Sequence, residues 1–183
     1  MTMVRSLAWF VVALSCSASL PRGAGAQATN GLPRPGEILA DTTFGRIGSW
    51  FTLRTSDGEE IQYPEFRDRV LFVNFWATWC APCVQEMPTI VDLADSMKEV
   101  DVEFLLVSID DDERLVRRFV RKHNLSERVY LRGWDAGAST FTAGIVPATF
   151  IVAKDGTIAY QHHGAADWNT DSIRRFLMTI AGG

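Results

Sequence analysis

The rhythm of apolar and polar positions changes several times along the chain, and each change marks an element. Trp50 to Arg54 and Glu60 to Tyr63 flank Ser56-Asp57-Gly58, which predicts a hairpin. Val70 to Phe75 is a continuous apolar run, the pattern of a strand covered on both faces. From about Ala81 the period lengthens, with Val84, Met87, Ile90, Val91, Ala94 and Met97 at helical spacing; Pro88 is expected to kink this helix because it has no N–H to give. Val102 to Ile109 predicts a second buried strand. Asp110-Asp111-Asp112-Glu113 then reads as a helix start, followed by Leu115, Val116, Phe119 and Val120 on one face and by Arg121, Lys122 and His123 at the end, charges that complement the helix dipole. Val129 to Leu131 predicts a short strand and Ala136 to Ala143 a short helix. Ala148 to Ala153 and Thr157 to Gln161 predict a hairpin across Lys154-Asp155-Gly156, and Asp171 to Ile180 a closing helix.

Strands alternate with helices and the chain closes with a hairpin and a helix, so the expected fold class is α/β, a mixed central sheet flanked by helices. Ahead of this body lies a different pattern. Met1 to Arg5 carries one positive charge, Leu7 to Leu14 is apolar, and the chain turns small and polar up to Ala24-Gly25-Ala26, as in a secretory signal cleaved before Gln27. Two other readings stay open: an uncleaved anchor from Ser6 to Leu20, giving a membrane tether through residues 6–20, and lipidation at Cys16. Gly31, Pro33, Pro35 and Gly36 mark 27–38 as a linker, and residues 39–183 are left as one domain.

Residues 1–26 hold Arg5 and Arg22 and no acid, so the remaining 157 residues carry 16 basic and 22 acidic side chains, a net of −6. That balance argues against a nucleic-acid partner. Cys16 leaves with the signal, and the mature protein keeps only Cys80 and Cys83. Two thiols three residues apart close a disulfide within one helical turn, so a mixed disulfide formed by one can be resolved by the other. A plain structural staple is the bland alternative, and a loop this short removes little unfolded-state entropy.

The wider sequence carries a family resemblance. Val73-Asn74-Phe75-Trp76-Ala77-Thr78-Trp79-Cys80-Ala81-Pro82-Cys83, then Glu86-Met87-Pro88, and later Val146-Pro147-Ala148-Thr149-Phe150 before Asp155-Gly156, resemble the exported thioredoxin-like thiol-disulfide oxidoreductases of the TlpA and ResA type. The resemblance covers about residues 38 to 181. It implies a thioredoxin-like fold with an N-terminal hairpin and, over about residues 111 to 134, an inserted helix-strand unit. It also implies protein-disulfide exchange in the bacterial envelope, periplasmic or extracytoplasmic, with a disulfide-containing protein as substrate and a membrane-anchored electron donor. No metal, flavin or nucleotide cofactor is implied beyond the redox-active pair itself.

Cys80 stands where a strand gives way to a helix, so its sulfur should meet unpaired N–H groups and the positive end of the helix dipole. A thiol of pKa near 8.5 is only about 3% thiolate at pH 7, whereas one of about 7 is half thiolate. Cys80 is therefore the expected nucleophile and Cys83, one turn inward, the resolving thiol. Zinc ligation is the alternative, and it needs two more ligands, for which His162 and His163 are the candidates. Pro82 suits a first helical turn and tunes the potential. Relatives with different intervening pairs run from about −270 to about −120 mV, roughly 7 kcal/mol of driving force.

Plain thioredoxins carry a buried Asp where this chain has Asn74, which cannot titrate. The resemblance makes Glu86, one turn past Cys83, the candidate for proton relay; an exposed first-turn acid is the bland reading. It also implies a cis bond at Pro147, with Val146 pairing through its backbone to an extended substrate. Relatives often have Gly where this chain has Ile145. Trp76 is expected in the core, and Trp79 is either on the docking surface or structural. Arg114, Arg117, Arg118 and Arg121 form a basic face that is either solvated or meets an acidic partner. Oxidation or isomerisation of envelope disulfides, and peptide binding with a permanent disulfide, are the rival functions.

Overall fold

A computed structural model of the protein describes residues 52–125, 128–132 and 145–182. The expectations for residues 1–38, and for a helix over 136–143, lie outside the described residues. The architecture is organised by β3 (Val70–Trp76), in which all seven residues are buried. It pairs in parallel with β4 (Val102–Ser108), Phe72 opposite Phe104, and antiparallel with β6 (Ala148–Val152), Phe75 opposite Ala148. Beyond β4 comes β5 (Val129–Arg132), parallel to it, and then the hairpin of β1 (Thr52–Thr55) and β2 (Glu60–Gln62). On the other side β6 turns back into β7 (Ile158–His163), giving a seven-stranded mixed sheet in the order β2-β1-β5-β4-β3-β6-β7.

Parallel neighbours cannot be joined by a tight turn, and the chain supplies a helix for each crossover: α1 (Ala81–Ser96) between β3 and β4, and α2 (Glu113–His123) between β4 and β5. The α2–β5 pair is the helix-strand unit expected within residues 111 to 134. The closing helix is α3 (Asp171–Ala181), capped by Thr170, whose hydroxyl accepts from the Ile173 N–H. Alternation along β3 sends Val70, Phe72 and Trp76 to the core shared with α1 and α3, and Leu71, Val73 and Phe75 to a second core on the opposite face. Asn74 falls in the first set, so a polar amide points into an apolar layer.

Among the described residues the expected elements form with small shifts of boundary. β3 extends through Trp76, β7 runs from Ile158 to His163, and β2 ends at Gln62, where a single 3₁₀ turn (Tyr63–Phe66) takes over. Helix α1 continues through Pro88 up to Ser96, and Thr89 bonds back to the Glu86 carbonyl. On α2, Arg114 pairs with Asp112 and Arg117 with Glu113, which also pairs with Arg54. Part of the basic face is thus neutralised within the fold.

Candidate active site

Cys80 is the N-cap of α1, in extended backbone, and its Sγ accepts the Cys83 N–H at 3.2 Å. The two sulfurs are joined as a disulfide with Cα atoms 5.3 Å apart. Pro82 sits in the first turn, where its missing N–H costs no intrahelical bond. Cys80 is 5% exposed and Cys83 fully buried, so the sulfur able to meet a partner is that of Cys80. The Cys83 N–H and the positive end of the α1 dipole lie at the Cys80 sulfur.

The approach to Cys80 is pinned from the segment that follows β4. The Asp110 carboxylate accepts the Thr78 N–H at 2.9 Å and the Thr78 hydroxyl at 2.6 Å, and the Ser108 hydroxyl donates to it at 2.8 Å. Only Asp112 of the acidic run caps α2, accepting the Arg114 N–H. The helix-start reading of the whole run is therefore corrected for Asp110, which fixes the loop that carries Trp79. Asp110→Ala removes all three bonds and is expected to cost about 2 kcal/mol of stability. A urea midpoint equal to that of the parent would contradict this anchor.

Sheet register brings the second half of the site to the same end. Phe75 lies opposite Ala148, so the Val146-Pro147 segment continues alongside the end of β3 from which Cys80 follows. The Val146-Pro147 bond is cis, as the resemblance implies, and Pro147 accepts the Gly164 N–H at 2.9 Å. Val146 packs against the core cluster that includes both cysteines. Two large apolar side chains stand out in solvent on these segments, Trp79 at 68% exposure and Ile145 at 69%. Trp76, by contrast, is fully buried and packs on Phe119.

Glu86 is only 3% exposed, which corrects the reading of it as an exposed first-turn acid. Its position on α1 explains the burial, since Cys83, Glu86, Met87, Ile90, Leu93 and Ala94 form one inward stripe. Oε1 accepts the Asn74 amide at 3.0 Å, and Oε2 accepts the Ala166 N–H at 3.0 Å and the Trp168 indole N–H at 2.9 Å. The second Asn74 amide hydrogen goes to the Thr149 hydroxyl at 2.9 Å, leaving Asn74 Oδ1 without a protein partner. Burial pushes the Glu86 carboxyl above its ordinary value of 4.5, and the bonds from Trp168, Ala166 and Asn74 pull it partly back.

Sequence reasoning missed Asp110, Thr149, Ala166 and Trp168 as parts of this site. His162 and His163 do not join the cysteines. His162 meets the Trp168 ring edge-on at 5.6 Å, and burial, with His163 beside it, lowers its pKa. Among the described residues no cluster of three or more His, Cys, Asp or Glu is placed to hold a metal ion.

Comparison with known proteins agrees with this geometry. The family model described as Redoxin matches residues 48–176. A thiol-disulfide oxidoreductase ResA of Bacillus cereus is 32% identical over 108 residues, 59% of this chain and 62% of that relative's length, which is under two thirds. The thiol-disulfide oxidoreductase ResA of Halalkalibacterium halodurans is 34% identical over 133 residues, 69% of this chain and 74% of that relative. The crystal structure of StoA from Bacillus subtilis superposes with a TM-score of 0.57 at 21% identity, over 65% of this chain and 90% of that one, and supports the thioredoxin-like fold.

Proposed function

Because the chain belongs to the redoxin family, we propose that it is a thiol-disulfide oxidoreductase that reduces disulfides of partner proteins outside the cytoplasm through Cys80 and Cys83. The observation that carries this reading is the Cys80–Cys83 disulfide capping α1, its outer sulfur held by the Cys83 N–H and its inner sulfur buried one turn from Glu86. The reduced Cys80 thiolate attacks a partner disulfide, whose S–S bond breaks as the mixed disulfide forms; the departing partner sulfur takes up a proton. Cys83 then gives its proton to the Glu86 carboxylate and attacks Cys80 Sγ. The Cys80–Cys83 bond forms, the second partner sulfur leaves and takes a proton from solvent, and Glu86 gives its proton up to solvent. Two electrons have passed to the partner, and a membrane-anchored dithiol donor restores the pair.

Trp79 and Pro82 flank Cys80 in the chain, the sheet register brings Val146 and Pro147 to the same end, and together they form the docking edge, with the Val146 backbone pairing to an extended partner segment. The resemblance supports apocytochrome c during haem attachment, or a copper-site assembly protein, as the partner. Export through residues 1–26, followed by release or tethering, fits the signal pattern. Among the described residues no helix is long and apolar enough to cross a membrane. The direction of electron flow is tested by equilibrating the pair against a dithiol of known potential. A reductant is expected near the roughly −270 mV end of the range, and a value near about −120 mV would contradict it.

A further inference from the structure

The Glu86 carboxylate is held from a distant part of the chain. Two of its three donors, the Ala166 N–H and the Trp168 indole, come from the loop between β7 and α3, 80 and 82 residues further on. That loop is itself tied to α1, because the Trp168 N–H bonds to the Thr89 hydroxyl at 3.1 Å. The Trp168 ring is fully buried and wedged edge-on against Phe72 at 5.1 Å, with Tyr160 and His162 on β7 also against it. The indole N–H therefore has a fixed direction, and Glu86 Oε2 is what it meets.

The donor set is one-sided. Asn74 from β3, Ala166 and Trp168 from the loop all give hydrogen to the carboxylate, and Thr149 from β6 reaches it only through Asn74. Among the described residues Glu86 has no ion pair. The titratable groups around it are Cys83 on its own helix and, beyond the Trp168 ring, His162 and Tyr160 of β7. Three N–H donors with no acceptor in contact favour the charged carboxylate, whereas burial disfavours it.

We propose that Trp168, with the Ala166 amide, is a positioning clamp that keeps Glu86 available in its proton-accepting form at neutral pH. Trp168 is a positioning residue: its indole N–H meets Glu86 Oε2, and it acts through that carboxylate. The consequence for exchange rests on the reading of Glu86 as proton acceptor for Cys83, whereas the clamp itself does not depend on that reading. An indole also differs from other large apolar residues here in a specific way: phenylalanine keeps most of the ring packing but cannot donate.

The test uses the oxidised protein, in which neither cysteine titrates. The Glu86 side-chain carboxyl is followed by carbon NMR, assigned by its loss in Glu86→Gln. In Trp168→Phe its midpoint should rise by about one pH unit, the worth of one hydrogen bond to a charged group. The acid limb of peptide-disulfide reduction by the reduced protein should move upward with it. An unmoved carboxyl midpoint in Trp168→Phe overturns the clamp. A midpoint that rises while the acid limb stays in place upholds the clamp and overturns the relay role of Glu86. If Trp168→Phe does not fold, the parent protein decides: its indole N–H resonance should titrate with the Glu86 midpoint, and a flat trace overturns the proposal.

Discussion

Glu86→Gln should slow reduction of a peptide disulfide at neutral pH by about 100-fold while leaving the fold intact, because it removes the proton acceptor for Cys83 and little else. The amide matches the carboxyl in shape. Its oxygen can keep the Ala166 and Trp168 bonds, and its NH2 would then face Asn74, whose Oδ1 has no protein partner and can turn to accept it. A merely structural Glu86 predicts the opposite pattern, a normal rate. The same substitution has a pH signature in stability. The Glu86 carboxyl is raised in the folded state by burial, so the folded protein binds its proton more tightly than the unfolded chain does. Its favourable contribution is present below the ordinary value of 4.5 and is lost as pH rises through the folded-state value. Compared with the Gln variant, the parent should therefore lose stability as pH rises above the ordinary value of 4.5 and through the raised folded-state value, as read by urea unfolding of the oxidised forms. A constant difference across that range would contradict the burial of a titrating acid.

Much of the frame around this site is readable in local pattern. The buried run of β3 and the period of α1 each encode an element whose partners are supplied by the sheet and the second core. Asn74 was visible as the one amide inside that run, and alternation places it on the α1 face. Glu86 was visible too, because it falls on the same stripe as Cys83, Met87 and Ile90; that spacing could have told a buried acid from an exposed one. Asp110 and Trp168 were not visible. Asp110 belongs to a run of acids in which any member could cap α2, and its true partner, Thr78, lies 32 residues earlier. Trp168 follows Ala165-Ala166-Asp167 in a stretch with no period, and its indole meets Glu86 only because β6 and β7 bring that loop back over α1. Local sequence encodes what a residue prefers, and pairings this distant arise from the sheet order.

The second large effect concerns the reactive pair itself. Cys83→Ser leaves the Cys80 nucleophile but replaces the buried resolving thiol with a hydroxyl, which does not ionise at neutral pH and cannot displace a sulfur. Attack on a partner then proceeds and release does not, so turnover should fall to the rate of uncatalysed exchange while covalent adducts accumulate through Cys80. Cys80→Ser should abolish both turnover and adducts, because the remaining thiol is fully enclosed. The reversed result, adducts through Cys83 in Cys80→Ser, would require the inner sulfur to be the nucleophile.

Trapping Cys83→Ser in its native host therefore tests most directly whether this pair is a working redox centre. Mass spectrometry of the non-reduced adducts should identify partner cysteines bonded to Cys80 and released by reductant. If no covalent partner is recovered under either oxidising or reducing conditions, the pair does not turn over, and the protein is instead a binding module with a permanent disulfide.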